Sequence, residues 1–403
     1  MLKKADTTLS TGASRLESGV PNGDIGYGKV AASRRHLELT KHLALVVICA
    51  FASVTMLGAT TTVMADVSRV VDGDGTIHLP ALALPESTLL SAKSRAALKA
   101  ERDPPSQEDA AIAPCPSWEK AARADMPAIR ACEAKAFYRT SAYRRLRQRF
   151  DVNIAPQTFG GVYTEVVVPA AGIAEANRNR VLINVHGGAF QIGSRTLSQL
   201  EAIPIAAVGK IKVISIDYRQ APEYTFPAAS EDVAAVYKEV LKSYPAKNIG
   251  IYGCSAGGLL TAESIAWFLK QQLPLPGAVG MLCEGPAYWT EGDSAHLAND
   301  VSAQTIAKNP YFKNTDPDDP LAFPVRSPQL LGEFPPSLLI SSVRDFALSS
   351  VVRTHSLLVA KNVDADLYVW EGLEHAFHLD PALPESREVY EVTIKFFDKH
   401  LAR

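Results

Sequence analysis

The sequence carries no excess of charge of either sign. Its 403 residues include 41 Lys and Arg against 43 Asp and Glu, for a net charge of −2. Nucleic-acid phosphates are bound by clustered basic side chains, so this balance argues against a nucleic-acid partner. The sequence also lacks groups of His, Cys, Asp or Glu at metal-ligand spacing. We therefore expect neither a metal nor an organic cofactor.

The N-terminal residues lack the apolar period of a folded domain and instead have the features of an export signal. Arg34, Arg35 and Lys41 precede an apolar run from Leu43 to Leu57, and small residues follow as far as Ala65. This order predicts residues 1–65 as a disordered lead with a signal that is cleaved after Ala65, and export to the periplasm or medium. The arginine pair also resembles a twin-arginine signal. The segment is long enough to span a bilayer, so an uncleaved membrane anchor stays open.

Cysteine is scarce, and two of the five cysteines lie in one polar segment of helical pattern. Cys115 and Cys132 are expected to be close if that segment forms a helical hairpin. In an oxidising compartment we favour a disulfide between them over two packed thiols. Cys49 lies within the predicted signal.

The rest of the chain divides into two parts by its pattern. Residues 66–155 predict an N-terminal extension with helices. From 156 to 403, short apolar strands alternate with helices, which predicts an α/β fold with a mostly parallel sheet and helices on both faces. Residues 285–335 interrupt the alternation with Pro, Asp and aromatic residues. We interpret this stretch, together with the N-terminal helices, as a helical cap over the site. The predicted strands are 162–168, 181–185, 211–216, 248–252, 279–283, 337–341 and 366–370.

The strand at 248–252 runs directly into the residues Gly253-Cys254-Ser255-Ala256-Gly257. A helix is predicted to begin near Ala256. A serine on a sharp strand-to-helix turn is exposed, and flanking glycines let two backbones approach closely. This context predicts Ser255 as a nucleophile rather than as part of an ordinary glycine-rich turn.

A second glycine pair follows the strand at 181–185. Gly187 and Gly188 have no side chains, so their N–H groups can approach a developing oxyanion, and the N–H of Ala256 would complete the hole. The alternative is a turn that is merely flexible.

A serine nucleophile needs a base and a carboxylate, and both follow later strands. We predict His375 as the base and Asp345 as the carboxylate that orients it. His378 competes with His375, but we interpret it as a surface or packing histidine. Rival carboxylates are Asp364, Asp366, Glu371 and Glu374, of which the first two start a strand and so lie at the wrong end of the sheet.

These motifs resemble the hormone-sensitive-lipase-like branch of the α/β-hydrolases, which includes bacterial esterases. The resemblance covers about residues 155–400 and includes the block from Asp217-Tyr218-Arg219 through Phe226-Pro227 to Asp232. It implies a triad of Ser255, Asp345 and His375 and an oxyanion hole of Gly187, Gly188 and Ala256. The chain departs from the family pattern at Ala189, where a glycine is usual, and at Cys254, where an aspartate is usual. Cys254 and Cys283 end neighbouring predicted strands, so a disulfide between them is conceivable; two buried thiols are the alternative.

The expected function is hydrolysis of carboxylic esters, with a small or medium acyl ester or a lactone as the small-molecule partner. Two alternatives stay open. This fold also serves non-catalytic small-molecule binding proteins, and an exported amidase or peptidase would use the same triad. The sequence does not specify acyl length, alcohol or oligomeric state.

Overall fold

A computed structural model describes residues 70–79, 83–118, 121–287, 291–297 and 309–402. The chain forms two compact units, Met1–Leu82 and Ala83–Arg403. The described part of the first unit is an antiparallel pair of strands, β1 (Val70–Val71) and β2 (Ile77–His78). The predicted signal and its cleavage point after Ala65 lie outside the described residues. In the part of the chain that the structure describes, no helix is long and apolar enough to cross a membrane.

The second unit is built on one eight-stranded sheet in the order β10-β9-β8-β7-β5-β6-β4-β3. The pairings from β6 through β10 are parallel, whereas β4 pairs antiparallel with both β3 and β6. This confirms the predicted α/β fold with a mostly parallel sheet. The strands are β3 (Val152–Phe159), β4 (Val162–Pro169), β5 (Val181–Val185), β6 (Lys212–Ile216), β7 (Ile249–Cys254), β8 (Ala278–Leu282), β9 (Ser337–Ser342) and β10 (Ala365–Trp370).

Helices cover both faces of this sheet. In β5, Val181, Ile183 and Val185 belong to one apolar cluster and Leu182 to another, because alternate side chains of a strand point to opposite faces. The helices at Ala228–Val240, Ala256–Lys270 and Leu348–Ala360 contribute to the first cluster, and those at Ser141–Arg149, Leu197–Gly209 and Pro384–His400 contribute to the second. The helices are α1 (Ala92–Arg102), α2 (Gln107–Ala110), α3 (Met126–Phe137), α4 (Ser141–Arg149), α5 (Leu197–Gly209), α6 (Ala228–Val240), α7 (Ala256–Lys270), α8 (Ser294–Leu297), α9 (Pro328–Leu331), α10 (Leu348–Ala360) and α11 (Pro384–His400).

Two elements differ from the sequence prediction. Strand β3 begins at Val152 and pairs along its whole length with β4, so the sheet starts before the expected boundary at 155/156. Helix α5 was not predicted, and it contains Pro204 in its interior. It is buried on nearly all sides, so its residues lack the one-sided apolar period by which an exposed helix is recognised.

The N-terminal extension is fastened to the sheet domain by the region around α3. Cys115 and Cys132 form a disulfide with Cα atoms 5.8 Å apart, as favoured from the sequence. Two residues before Cys132, the Arg130 guanidinium lies 2.6 and 2.9 Å from the two carboxylate oxygens of Glu223. Arg130 also donates to the carbonyl of Gln191 at 2.6 Å, in the loop that follows β5. The extension therefore supports the loops around the candidate site.

Candidate active site

Ser255 occupies the turn between β7 and α7. Its φ of 58° lies in the left-handed region, which non-glycine residues adopt only when the surroundings enforce it. A Cβ on Gly253 or on Gly257 would lie 1.9 Å from the carbonyl oxygen of Val185, so both positions require glycine. The turn predicted from the sequence is thus present, and it holds the half-buried Ser255 at the carboxyl end of β7.

The loop after β9 brings Asp345 against His375, which follows β10. Nδ1 of His375 lies 2.7 Å from Oδ1 of Asp345. The carboxylate is itself fixed, because it accepts hydrogen bonds from the Ser341 hydroxyl at 2.9 Å and from the Ala347 N–H at 2.9 Å. Asp345 is 1% exposed and His375 is 19% exposed, so this pair is shielded from water on the carboxylate side.

The other ring nitrogen of His375 is available for a proton. Among the described residues, Ser255 included, Nε2 has no hydrogen-bond partner, although the atom is buried. Hydrogen bonds between catalytic groups are often long in a free enzyme and shorten only with substrate. The Phe346 ring stacks on the imidazole with centroids 4.3 Å apart and limits its rotation.

The rival residues lie elsewhere. His378 is buried, with Nδ1 facing the Cys283 sulfur at 3.8 Å, which agrees with the packing role expected for it. Asp364 lies near Lys399 and His400 at the start of β10. Glu371 accepts a hydrogen bond from Ser87.

The glycine pair after β5 differs in detail from the sequence prediction. The N–H of Gly187 donates to Oε1 of Glu201 at 2.8 Å, so its hydrogen is directed at a buried carboxylate and not at a substrate. The place of Gly187 in the oxyanion hole therefore stays a prediction, and its N–H is engaged by Glu201 in this structure. In the described part of the chain, no such partner engages the N–H groups of Gly188 and Ala256. Gly188 and Ala189 have φ values of 108° and 52°.

Glu201 is the residue of this site that sequence reasoning missed. It lies on α5, is 4% exposed, and its Oε2 accepts from Asn184 Nδ2 at 2.8 Å and from the Cys254 N–H at 3.2 Å. Burial raises the pKa of Glu201 to about 8, while these donors and Gly187 favour the charged form. One carboxyl therefore joins the loop after β5 to the residue that precedes Ser255.

The block at 217–232 also supports the loop after β5. The Tyr218 hydroxyl donates to the carbonyl of His186 at 2.7 Å, and the two rings stack with centroids 4.4 Å apart. Arg219 is held by Asp232 at 2.8 Å and Glu231 at 2.9 Å. These contacts give the block a structural role in holding the backbone beside Ser255.

Parts of the stretch 285–335 contact the same site. The Ser294 hydroxyl on α8 donates to the carbonyl of Phe346 at 2.7 Å, next to the Asp345–His375 pair. Farther along, the Tyr311 ring stacks on Phe190 with centroids 4.3 Å apart. The intervening residues 298–308 lie outside the described residues.

Comparisons with known proteins show a matching fold family and related enzymes. A family described as having the α/β-hydrolase fold matches residues 182–379. An acetyl-hydrolase of Streptomyces hygroscopicus is 27% identical over 269 residues, which are 64% of this chain and 88% of the relative. An esterase of Acinetobacter venetianus is 25% identical over 256 residues, which are 61% of this chain and 82% of the relative.

Solved structures give the same result. An esterase of known crystal structure is 27% identical in sequence and has a TM-score of 0.69, and the match covers 81% of this chain and 99% of that one. An esterase from the bacterial hormone-sensitive lipase family is 25% identical with a TM-score of 0.63, covering 77% of this chain and 99% of that one. The chain therefore has the α/β-hydrolase fold and is similar to the hormone-sensitive-lipase-like esterase branch of that fold.

Proposed function

We propose that this protein hydrolyses carboxylic esters, with Ser255 as nucleophile, His375 as general base and Asp345 as the group that orients the imidazole. The observation that carries the proposal is the 2.7 Å contact between His375 Nδ1 and Asp345 Oδ1. A proton held on Nδ1 by the carboxylate leaves the lone pair of Nε2 free to accept another. Ser255 follows β7 and the pair follows β9 and β10, so all three lie beyond carboxyl ends of parallel strands.

The reaction proceeds in two halves. The Ser255 oxygen attacks the ester carbonyl while its proton passes to His375 Nε2, and the resulting imidazolium is stabilised by Asp345. The tetrahedral intermediate expels the alcohol, which takes that proton, and leaves an acyl group on Ser255. Water then attacks the acyl group, giving a proton to Nε2, and this second intermediate releases the acid as Nε2 returns the proton to the Ser255 oxygen.

For the oxyanion we assign the N–H groups of Gly188 and Ala256, with the N–H of Ala189 in place of that of Gly187, which donates to Glu201. Ala256 is the first residue of α7, so the positive end of the helix dipole adds to its N–H. Loss of one such donor typically costs about 100- to 1,000-fold in rate.

The substrate class we propose is a small to medium acyl ester or a lactone. A relative named acetyl-hydrolase favours a short acyl group. We assign residues 285–335, with the N-terminal helices, as the cap that limits substrate size. Its support is the contact from Ser294 to the backbone beside the acid–base pair.

The test is a panel of aryl esters of graded acyl length, run with lactones and anilides on the purified full chain. We expect highest kcat/KM on short aryl esters and none with Ser255→Ala. Anilide turnover above ester turnover would instead support an amidase. Hydrolysis of no substrate, together with failure of a fluorophosphonate probe to label Ser255, would favour a binding protein.

We also propose export, through the signal in residues 1–65. The Cys115–Cys132 disulfide supports it, since structural disulfides persist in oxidising compartments. Cell fractionation and N-terminal sequencing of the mature chain test it. A new N-terminus at residue 66 in the periplasm or medium is the expected result, whereas full-length protein in the membrane would indicate the anchor.

A further inference from the structure

Two cysteines that the proposed mechanism does not use meet beneath Ser255. Cys254 ends β7 and directly precedes the serine, and Cys283 follows the last residue of the neighbouring parallel strand β8. Both are free thiols in the structure, and each is 1% exposed. Their sulfurs lie 2.7 Å apart.

This separation is not that of two thiols in ordinary contact. Non-bonded heavy atoms pack best at about 3.5–4 Å. A disulfide bond measures about 2.0 Å, so the sulfurs need to approach by only about 0.7 Å to bond. The backbone on each side is already in place, because the N–H of Ser255 donates to Leu282 O at 2.8 Å and that of Cys283 to Ile340 O at 2.7 Å.

We propose that Cys254 and Cys283 form a second disulfide, which joins the residue before the nucleophile to the end of β8. Each thiol loses its proton, and the two electrons reduce a small disulfide oxidant to two thiols. Because both sulfurs are buried, the bond forms during folding, before the domain closes over them. The proposal rests on the proposed export for its oxidant and is independent of ester hydrolysis.

A metal ion is the competing occupant. Nδ1 of His378 and the two sulfurs all lie within 4.8 Å of one another, and all three residues are buried. Zinc bound tetrahedrally at about 2.3 Å from each sulfur would require the sulfurs to be about 3.8 Å apart. The sulfurs would have to separate by about 1 Å in a packed core, which is a larger movement than closing the bond.

Charge also favours the disulfide. Metal binding requires two thiolates, whereas burial, the neighbouring thiol and the nearby Asp345 and Glu201 carboxylates raise the pKa of Cys254. Burial, Asp345 and Glu201 likewise raise the pKa of Cys283. A disulfide adds no charge to this region and leaves the carboxylate of Asp345 with His375 as its partner.

The proposal is tested by mapping thiols on the full chain, produced in a disulfide-permissive host without reductant. The protein is unfolded, alkylated, digested and analysed by mass spectrometry, and zinc and copper are measured in parallel. The expected result is a linked peptide pair containing Cys254 and Cys283, no alkylated thiol at either, and no stoichiometric metal. Cys115–Cys132 is the internal positive control for oxidation.

The matched variant is Cys283→Ser, which leaves Cys254 in place. Cys254 should then become alkylatable, and the Tm should fall by about 5 °C. Adding reductant to this variant should not lower its Tm further through this pair, because the bond is already absent. Two alkylatable thiols in the unmutated chain while Cys115–Cys132 is closed would overturn the proposal. So would one bound metal ion per chain that is lost in Cys283→Ser.

Discussion

Glu201 holds the N–H of Gly187 at 2.8 Å and, through its other oxygen, the N–H of Cys254 at 3.2 Å. One side chain thereby fixes the distance between the loop proposed to bind the oxyanion and the turn that carries Ser255. A carboxylate suits this place, because it has acceptor positions only and every neighbour offers a hydrogen.

Glu201→Gln should lower kcat while leaving KM nearly unchanged. In either orientation of the amide, its NH₂ group faces an N–H donor, so the loop and the turn must separate. Displacement of catalytic groups by about 1 Å costs about 100-fold, which is the loss we expect in kcat on a short aryl ester. The control is Glu263→Gln, a buried glutamate that bonds to Ser230 and not to the site. Equal losses in both variants would assign the effect to general destabilisation.

Ser255→Ala should abolish ester hydrolysis, with a fall in kcat of at least about 10⁴-fold, and should leave the Tm nearly unchanged. The hydroxyl makes no hydrogen bond to His375 that the fold requires. Steady-state kinetics and thermal unfolding measure the two quantities. Ser264→Ala changes a serine of helix α7 and is the control: among the described residues its hydroxyl bonds to the Leu260 carbonyl alone, and the activity of this variant should persist. Residual hydrolysis by Ser255→Ala at a comparable rate would rule out this nucleophile.

The central strands could be predicted because they are apolar on both faces. Every residue of β5 is buried, and the strand spans 181–185, the same residues that the sequence pattern predicted. Strand β3 was missed because it is an edge strand that contains Pro156 and is largely exposed, so it has no apolar run. An apolar sequence pattern indicates a buried strand, and strands at the edge of a sheet bury few of their residues.

The same reason explains what was missed in the site. Ser255, Asp345 and His375 could be located because each follows a predicted strand. The partner of Gly187 could not, because Glu201 lies in the middle of α5 and reaches the loop only through the packing of that helix. A signal was present, since Glu201 stands within an otherwise mainly apolar segment, where a charged side chain needs a partner.

His375→Ala should lower turnover, whereas His378→Ala should lower stability. His375→Ala removes the proposed base and should lower kcat by several orders of magnitude, with a small change in stability, since the ring is partly exposed. His378→Ala leaves a cavity and should lower the Tm, because the side chain is 3% exposed, while the folded fraction keeps most of its turnover. Kinetics normalised to the folded fraction compare the two. Loss of turnover in both would make the choice of base unsafe.

Stability should fall as the pH rises from about 6.5 through 8. Burial raises the pKa of Glu263 and Glu284 well above the usual 4.5, whereas the N–H groups that donate to both oxygens of Glu201 favour its charged form. The folded protein therefore keeps protons that the unfolded chain has lost. Each such carboxyl lowers the free energy of unfolding by up to about 1.4 kcal/mol per pH unit for as long as it stays protonated in the folded protein.

His378 sets the lower limit of the pH range in which stability should fall. Burial lowers the pKa of His378 to about 3, so this ring favours folding increasingly as the pH rises towards 6.5 and opposes the carboxyls there. Above about pH 7.5 the ring is neutral in both the folded and the unfolded protein, and the carboxyls determine the slope. Urea unfolding at pH 6.5, 7.5 and 8.5 should show a falling midpoint, with a shallower fall in Glu263→Gln because one proton-retaining group is gone. A midpoint that rises with pH would mean that these carboxyls are ionised in the folded protein.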